Sequence, residues 1–337
     1  MSAQPKISVL IPLWRGRPTI KNCLDSLLVQ EGVGIEILLL DNGCPEDTGE
    51  WAGYYLAQEK PGVPWRLFEE PVNIGFAAGM NRLYSESKYP YILFINQDVT
   101  LAPDHLRVLY EALEAHKDWA GVCGTLFRTE NREGRNVIDT TGHEIFRDRI
   151  VRNRGAGKAV EKDKEFPYPA GEVFGLSAAC AMYRREALES AREEEGPFDP
   201  DFFAYFEDVD LDYRIHRSGG KLGYVPEAVG NHALAGSGGR RELKIRLRAY
   251  GNRRRILLKH ESFQSLTPDL IPILAQDTYG VIRALITDPA ACIAGPIIMW
   301  SGLGSISKRK KRCDELWGSD RKWIRKWLKP WRERFVG

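Results

Sequence analysis

Several patterns that identify common protein classes are missing from this chain of 337 residues. Its six cysteines are dispersed and form no CxxC pair, which argues against a zinc site and favours reduced thiols over a disulfide framework. The chain has neither a Walker loop nor the GxGxxG motif of dinucleotide oxidoreductases. It also lacks a run of about 18 uninterrupted apolar residues, so no membrane-spanning helix is expected. Since residues 1–6 (MSAQPK) lead straight into an apolar run without a signal-peptide pattern, the predicted location is the cytoplasm.

Charge is distributed unevenly along the chain. The net charge is +2, but residues 240–337 contain 22 Lys and Arg against 9 Asp and Glu, a balance of +13, and the preceding residues carry −11. A basic tail behind an acidic front predicts an anionic surface partner for the tail, such as a membrane, nucleic acid or an acidic subunit.

Apolar runs alternate with helical patterns in the first 130 residues. Strands are predicted at residues 6–13, 35–40, 65–69, 91–95 and 120–127, with helices after the first, third and fourth of them. This alternation predicts an α/β fold with a mostly parallel sheet covered on both faces. Beyond Asn131 the alternation stops, and a hairpin, an acidic helix and a basic, mainly helical region over 241–337 are expected. We therefore predict one domain over 1–240, in halves of about 1–130 and 131–240, and a helical extension.

Polar side chains stand where three apolar segments stop. Asp41 follows the strand predicted over 35–40, Asn96-Gln97-Asp98 follow the strand over 91–95, and Glu207-Asp208 open the acidic helix. Open α/β sheets bind ligands outside the carboxyl ends of their strands, so one shared site is expected. Two of these carboxylates could hold a nucleotide and a metal, and a third could accept a proton. This set of groups is typical of an enzyme that transfers a group from a nucleotide-linked donor.

Each of these segments also has a structural explanation. Asp41-Asn42-Gly43 is a strong turn signal, and Asp98 could be a loop residue before a helix. The glycines of residues 73–81 either serve close packing at a helix N-terminus or bring backbone close to a ribose or diphosphate. Asp210 and Asp212 are interpreted as solvated or structural.

For two residues, a functional role explains the sequence pattern better than a structural one. Asp208 follows a segment rich in aromatic residues, FFAYF. A carboxylate beside several aromatic side chains is a candidate general base. His232 follows a predicted strand and precedes a glycine-rich stretch. One imidazole among oxygen ligands suits Mn²⁺ or Mg²⁺ better than zinc.

Five segments together resemble glycosyltransferase family 2, especially its bacterial rhamnosyltransferase-like members. In order along residues 6–260 they are ISVLIPLWRGRPTIKNCLDSLLVQ, EILLLDNG, NIGFAAGMN, LFINQDVTL and FDPDFFAYFEDVDLDYRIHRSGGKLGYVPEA. The resemblance implies a GT-A fold, with a nucleotide-sugar half and an acceptor half, and inverting transfer of a sugar from a nucleoside diphosphate. It makes L-rhamnose from dTDP-rhamnose the first choice, with UDP or GDP sugars as alternatives. The implied acceptor is a hydroxyl of a bacterial cell-surface glycan or lipid-linked saccharide.

The resemblance also implies roles for individual residues. Asp208 would be the catalytic base, and Asp98 the carboxylate of a DxD-type motif that binds Mg²⁺ or Mn²⁺, with His232 beside the metal or the diphosphate. Asn96 stands where that motif has its first acid, so metal binding rests on Asp98. Asp41 would hold the nucleobase. The other residues expected at the nucleotide sugar are Pro12, Leu13, Trp14, Asn73, Gly75, Asn81, Asn96, Gln97, Ser177, Ala178, Glu207, Arg240 and Arg253.

Competing classes fit the sequence less well. A sugar-nucleotide pyrophosphorylase needs a glycine-rich basic loop after the first strand, and residues 14–18 (WRGRP) are too short for it. A non-catalytic nucleotide-sugar-binding protein remains the alternative, against which Asp98 and Asp208 argue. Nucleic acid is not an expected partner of this enzyme class.

The tail has two explanations. Trp317, Trp323 and Trp327 recur at helical spacing among cations, beyond the cluster over 308–312. Such a helix could lie on an anionic membrane surface, which predicts a peripheral protein on the inner face of the membrane. Alternatively, its tryptophans pack onto the catalytic domain.

Overall fold

The computed structural model describes residues 4–59, 62–132, 134–161, 166, 168–234, 243–287, 289 and 302–335. The strands are β1 Lys6–Leu13, β2 Gly34–Asn42, β3 Trp65–Glu70, β4 Tyr91–Ile95, β5 Val99–Leu101, β6 Trp119–Arg132, β7 Arg135–Thr140, β8 His143–Phe146, β9 Val151–Asn153, β10 Ala159–Val160, β11 Gly171–Val173, β12 Cys180–Arg184, β13 Lys221–His232 and β14 Leu328–Lys329.

The helices alternate with these strands in the first half of the chain and dominate its end. They are α1 Ile20–Leu28, α2 Thr48–Glu59, α3 Phe76–Glu86, α4 His105–Ala115, α5 Arg185–Ala191, α6 Glu207–Arg217, α7 Leu243–His260, α8 Phe263–Leu266, α9 Leu270–Thr287 and α10 Leu303–Trp317. Short 3₁₀ helices span Pro200–Phe202, Thr267–Asp269, Lys322–Trp327 and Trp331–Phe335.

One large sheet of eleven strands organises the fold, with the order β10-β7-β6-β12-β4-β1-β2-β3. Strands β4, β1, β2 and β3 are parallel. Beyond them β12 runs antiparallel to β4 and β6, while β13 pairs parallel with β6 and antiparallel with β5 and β11. The predicted α/β class is confirmed, but the parallel arrangement holds only for the first half of the sheet. In the second half, the β6–β7 hairpin and the insertion of the later strands β12 and β13 beside earlier ones leave the pairing mixed.

Apolar layers cover both faces of the sheet. Alternate side chains of β1 point to opposite sides: Ile7, Val9 and Ile11 pack against α1 and α4, while Leu10 packs on the side of α3 and α6. Burial on both faces explains why these strands read as continuous apolar runs rather than alternating ones. It also leaves the polar ends of the strands as the place where ligands can enter.

The tail is folded onto the acidic helix α6 and its neighbours. Trp323 stacks on His216 and meets Tyr213 edge-on, Trp327 contacts Phe174, and Ile324 is buried. The single amphipathic helix predicted over this stretch is wrong: α10 ends at Trp317, and a 3₁₀ helix and β14, paired with β8, follow. Aromatic partners on α6 and a free edge of β8 offer the tail more burial than a continuous helix would. Among the described helices, none has the length and apolarity needed to cross a membrane.

Candidate active site

A cavity of about 630 Å³ opens at the carboxyl ends of β1 and β4. Its volume suits a ligand of nucleotide-sugar size. Many of the residues predicted at the site line it, together with residues that the sequence did not single out. The predicted ones are Pro12, Trp14, Asn73, Gly75, Asn96, Gln97, Asp98, Ser177, Ala178, Glu207, Asp208 and His232.

The turn before α3 is held open by two asparagines. Asn42 accepts a hydrogen bond from the Ile74 backbone N (3.0 Å) and donates to the Gly75 carbonyl (3.1 Å), while Asn73 accepts from the Gly75 N (2.8 Å). Gly75 has φ = +92°, and a Cβ there would lie 2.6 Å from the Phe203 ring. Only glycine therefore allows this close approach. Asn42 lines the cavity too, and was missed because it sat inside an apparent turn signal.

Gln97 fixes the loop after β1 to the loop after β4. Its side-chain oxygen accepts from the Trp14 backbone N (3.1 Å) and its nitrogen donates to the Trp14 carbonyl (2.6 Å). Both polar atoms of Gln97 are thereby engaged with Trp14, although the residue lines the cavity. Gln97 positions the Trp14 side of the cavity.

Asp98 and His232 lie side by side in the cavity wall. Nε2 of His232 is 3.2 Å from Oδ1 of Asp98, and Nδ1 is 2.8 Å from Oδ2 of Asp139. Burial alone would lower the pKa of His232, but hydrogen bonds to Asp139 and Asp98 raise it to about 9. Asp139, on β7, was missed by sequence reasoning because nothing near it in sequence marks it as functional.

The arrangement around His232 fits a divalent cation. Asp139 on Nδ1 fixes the ring so that Nε2 faces Asp98, the carboxylate–histidine pattern that orients metal-binding imidazoles. One carboxylate and one imidazole beside an open cavity leave positions for phosphate oxygens and water, as Mg²⁺ and Mn²⁺ prefer. Arg128, 3.9 Å from Asp139, adds a cation to the same wall.

A second acidic cluster already holds a cation of its own. Glu193, Asp199 and Asp210 are all buried and close enough to share an ion. The ammonium of Lys259, however, lies 2.7–2.8 Å from a carboxylate oxygen of each. Arg214 pairs with Asp210 and Arg309 with Asp199, so charges in this cluster are balanced without a metal. The Asp98–His232 pair is therefore the better metal site of the described residues.

Asp208 stands at the end of a strained aromatic segment. Phe203, Tyr205 and Phe206 have φ values of +64°, +70° and +72°, which are costly for residues with bulky side chains. The side-chain nitrogen of Asn252 on α7 lies within 3.2 Å of the carbonyls of Phe202, Ala204 and Tyr205 and braces this conformation. By holding this strained segment, Asn252 on α7 fixes the position of the start of α6 and therefore of Asp208.

The carboxylate of Asp208 accepts backbone hydrogen bonds from Ala178 (3.3 Å) and Val209 (2.8 Å). Nε2 of His143 lies 3.7 Å from Asp208 Oδ2, and its Nδ1 lies 2.8 Å from Oδ2 of Asp212. Burial opposes a charge on His143, but Asp208 and Asp212 outweigh it and raise the pKa of His143. Burial raises the pKa of Asp212 to about 7, against the opposing effect of His143.

Glycine makes room for the His143–Asp212 pair. A Cβ at Gly175 would lie 1.8 Å from Oδ2 of Asp212. Asp212, interpreted from the sequence as solvated or structural, is not solvated, since it is fully buried and also accepts from the Leu176 backbone N (3.0 Å). His143 also lines the cavity, and no sequence pattern distinguishes it among the six histidines.

Glu207 is a buried acid in the cavity wall beside Asp208. Burial, and next the nearby Asp208 charge, raise the pKa of Glu207 well above its ordinary value. Its Oε2 atom has no hydrogen-bond partner among the described residues. A protonated carboxyl here can donate a hydrogen bond to a bound hydroxyl, whereas Asp208 can only accept one as a carboxylate.

Other predicted site residues lie elsewhere. Leu13 is fully buried in the core beneath the sheet, and Asn81 uses both side-chain atoms to hold Phe198. Arg253 pairs with Asp277 and donates to the Asp148 carbonyl, so it is committed away from the cavity. These three placements contradict a direct binding role. Alternation along β1 and the close packing of α3 and α7 explain them.

The predicted binding roles of Asp41 and Arg240 stay predictions. Asp41 lies outside the cavity lining, and its Oδ1 accepts from the Cys44 backbone N (2.8 Å), the contact of a turn residue. Its role at a nucleobase stays a prediction. Arg240 falls outside the described residues.

The fold and the cavity define an α/β protein whose ligand site lies at the carboxyl ends of parallel strands. The family model for Glycosyl transferase family 2 matches residues 8–192, and the chain belongs to this family of enzymes. An N-acetylglucosaminyl-diphospho-decaprenol L-rhamnosyltransferase of Mycobacterium tuberculosis is 29% identical over 244 residues, which cover 66% of this chain and 74% of that protein. Both findings confirm the predicted family and its rhamnosyltransferase-like subgroup.

Solved structures show the same fold at low sequence identity. GalNAc-T7 with UDP, GalNAc and Mn²⁺ superposes with a TM-score of 0.59 at 14% identity, covering 77% of this chain and 48% of that one. TarS residues 1–349 of S. aureus, in complex with UDP-GlcNAc, gives 0.57 at 14% identity, covering 92% of this chain and 83% of that one. The predicted GT-A type of α/β fold is thereby confirmed.

Proposed function

We propose that this family 2 glycosyltransferase transfers L-rhamnose from dTDP-rhamnose to a hydroxyl of a polyprenyl-diphosphate-linked saccharide, with inversion at the anomeric carbon. The observation that carries the proposal is a single cavity lined by Asn73 and Gly75, by Asp98 and His232, and by Asp208. The cavity can therefore hold the donor, a cation and the acceptor hydroxyl close to the anomeric carbon of the donor sugar. The M. tuberculosis relative supports rhamnose as the sugar and a polyprenol as the carrier.

Asp208 is the group suited to accept the acceptor proton. It is partly exposed to the cavity, and its two oxygens are held by backbone donors and by the neighbouring His143. As its oxygen takes the proton, the acceptor oxygen forms a bond to the anomeric carbon and the bond to the diphosphate breaks on the opposite face. One displacement inverts that carbon and needs no covalent intermediate.

The leaving diphosphate gains negative charge as it departs. A divalent cation, Mg²⁺ or Mn²⁺, held by Asp98 and His232 would neutralise this charge. Arg128 stands in the same wall and can contribute a fixed positive charge. The GalNAc-T7 structure contains Mn²⁺ together with UDP and GalNAc, which supports Mn²⁺ as the first ion to test.

Nearby groups fix the reacting atoms. Gly75 and Asn73 bring backbone close to the donor, and Ser177 and Ala178 lie in the cavity wall beside Asp208. Burial raises the pKa of Glu207 well above its ordinary value, and in its protonated form this carboxyl can donate to a sugar or acceptor hydroxyl. Such preorganised contacts hold the acceptor oxygen and the anomeric carbon near attack distance.

A panel of sugar nucleotides tests the proposal. The purified protein is incubated with Mn²⁺, a polyprenyl-diphosphate N-acetylglucosamine acceptor and dTDP-rhamnose, UDP or GDP sugars, and nucleoside diphosphate release is measured. Release is expected with dTDP-rhamnose and is expected to be lost in Asp208→Asn. Release with a UDP or GDP sugar instead would replace the donor. Binding of a sugar nucleotide without release from any would favour the non-catalytic alternative.

We place the protein at the cytoplasmic face of a membrane, where a polyprenyl-linked acceptor is accessible. Of the two explanations that the sequence left open for the tail, membrane contact and packing on the catalytic domain, the second matches the contacts of Trp323 with Tyr213 and His216 on α6. A contact surface for the membrane therefore has to be sought elsewhere in the fold.

A further inference from the structure

Helix α9 presents an apolar face to solvent. Ile271 and Ile286, near its two ends, are 83% and 78% exposed, and Leu274, Ile282 and Leu285 between them are each more than half exposed. Their spacing of three, four and eight residues places them on one stripe, together with Tyr279 and Thr278. Phe263 on the preceding α8 is also exposed. An apolar stripe of this length on the outside of a helix requires a partner.

The other side of α9 is packed onto the protein. Ile273 and Ala284 are buried, and Asp277, the single acidic residue of the helix sequence, pairs with Arg253. The exposed stripe of α9 therefore carries no acidic residue. Cations stand around it: Arg283 is exposed in the last turns of α9.

Two further cations lie at the first turn of the helix. Arg147 and Arg325, with side chains 57% and 39% exposed, approach the buried Asp269 just ahead of α9. An apolar stripe with cations at both ends has the composition of a helix that lies in an anionic interface, where long cationic side chains reach the head groups.

The side of α9 that faces away from the stripe is connected to the cavity rim. Arg152 on β9 lines the cavity, and its Nη1 donates to the Arg334 carbonyl (2.9 Å). Arg334 in turn donates to the Gln276 side chain on α9 (2.6 Å). Only two side chains thus separate the helix from the acceptor half of the cavity. A surface that binds α9 is held close to any acceptor that enters there.

We propose that the apolar face of α9 docks into the surface of a bilayer that contains anionic lipids, so that the cavity rim faces the membrane. This docking deepens the proposed function, on which it rests, because a polyprenyl-linked acceptor is delivered from such a surface. A second copy of the chain is the less suitable occupant. A twofold pairing of this face would bring the cations of one copy against those of the other, and α9 has no unpaired carboxylate to offset them.

Vesicle sedimentation tests the proposal with the full chain. The wild type is compared with the double variant Ile282→Glu, Leu285→Glu on phosphatidylcholine vesicles with and without phosphatidylglycerol. Tyr54→Glu on α2, an exposed aromatic at 67%, is the matched control. We expect the wild type and the control to bind the anionic vesicles, with less binding as salt rises. Because binding scales with buried apolar area, the double variant should lose on the order of tenfold or more in affinity.

Equal vesicle affinity of the wild type and the double variant would overturn the proposal. The proposal would also be overturned if the wild type did not bind vesicles and formed a dimer in light scattering while the double variant was monomeric. The apolar face of α9 would then be a subunit interface. Nucleoside diphosphate release from a sugar nucleotide, measured without vesicles, is the separate readout for the proposed function. Its absence with intact vesicle binding would refute the enzyme assignment alone, and normal release without vesicle binding would refute the docking alone.

Discussion

His143 and Asp208 meet in the cavity wall, with Nε2 of the imidazole 3.7 Å from Oδ2 of the carboxylate. The opposite ring nitrogen is anchored 2.8 Å from Asp212, whose other oxygen is tied to the backbone of Leu176. The fully buried Asp212 therefore sets the orientation of the His143 ring. Because that ring lies beside Asp208, Asp212 also influences the surroundings of the proposed base. This relationship makes His143 a positioning residue for Asp208.

Asp208→Asn should abolish transfer while donor binding remains. The amide keeps the size of the carboxylate but cannot accept the acceptor proton, and loss of a general base costs on the order of 10²–10⁴-fold in turnover. Turnover is measured by nucleoside diphosphate release and donor affinity by calorimetry. Wild-type-like turnover in this variant would remove Asp208 from the mechanism.

His143→Gln should lower kcat by on the order of tenfold or more, since the proposed base loses the imidazole that lies beside it, while the KM for the donor stays the same. A purely structural loss would reduce the amount of folded enzyme without this split between kcat and KM in the folded fraction. His116→Gln is the control, because His116 is an exposed histidine stacked on Trp119. If both variants kept full kcat, His143 would have no role in positioning Asp208.

Asp98→Ala should weaken Mn²⁺ binding and reduce turnover by on the order of 10²-fold, because the leaving diphosphate loses its counter-charge. Metal binding is followed by calorimetry with Mn²⁺ alone, which needs no turnover. Asp104→Ala, which removes an exposed carboxylate nearby in sequence, is the control. Full activity of the wild type in excess chelator would show that cationic side chains stabilise the diphosphate without a metal.

Lys259→Met should lower the free energy of unfolding by about 3–5 kcal/mol, because it leaves Glu193, Asp199 and Asp210 buried with too little positive charge. Lys311→Met, at a side chain 79% exposed, should change the free energy by less than about 0.5 kcal/mol. Urea unfolding measures both. Equal stability of the two variants would show that the carboxylate cluster does not depend on Lys259.

Acid should destabilise the protein between about pH 6.5 and pH 4 through buried histidines. Burial lowers the pKa of His105 and of His216 to about 4, although hydrogen bonds to the Val229 and Phe174 carbonyls oppose the shift. As the pH falls below 6.5 the unfolded chain takes up these protons first, so stability falls until the folded state also binds them near pH 4. Each histidine can contribute up to about 3 kcal/mol to this loss.

Urea unfolding from pH 7 to pH 4 measures that loss, and His105→Leu should show a shallower dependence on pH. His232 acts outside this window: its pKa is raised to about 9, so its stabilising contribution fades only as the pH rises above about 6.5. An identical slope for the wild type and His105→Leu would mean that His105 is not buried as a neutral ring.

The strand pattern and part of the site could be read from the sequence. Continuous apolar runs located β1, β2 and β4 almost residue by residue, because burial on both faces requires them. The same runs located Asp98, and the aromatic segment before α6 located Asp208. The short strand β5 and the helix α2 were not predicted, since a three-residue strand and a helix with mixed polarity leave no clear period.

The amino-acid sequence by itself determined the α/β class, the family and the proposed base, because each depends on local pattern or on motif order along the chain. Only the tertiary structure decided which polar groups surround them. Asp139 reaches His232, Asp212 reaches His143, and Asn252 reaches the loop before Asp208 across sequence separations of 93, 69 and 47 to 50 residues. Contacts at such separations arise from sheet order and helix packing, and so do the burial of the tail tryptophans and the exposure of α9.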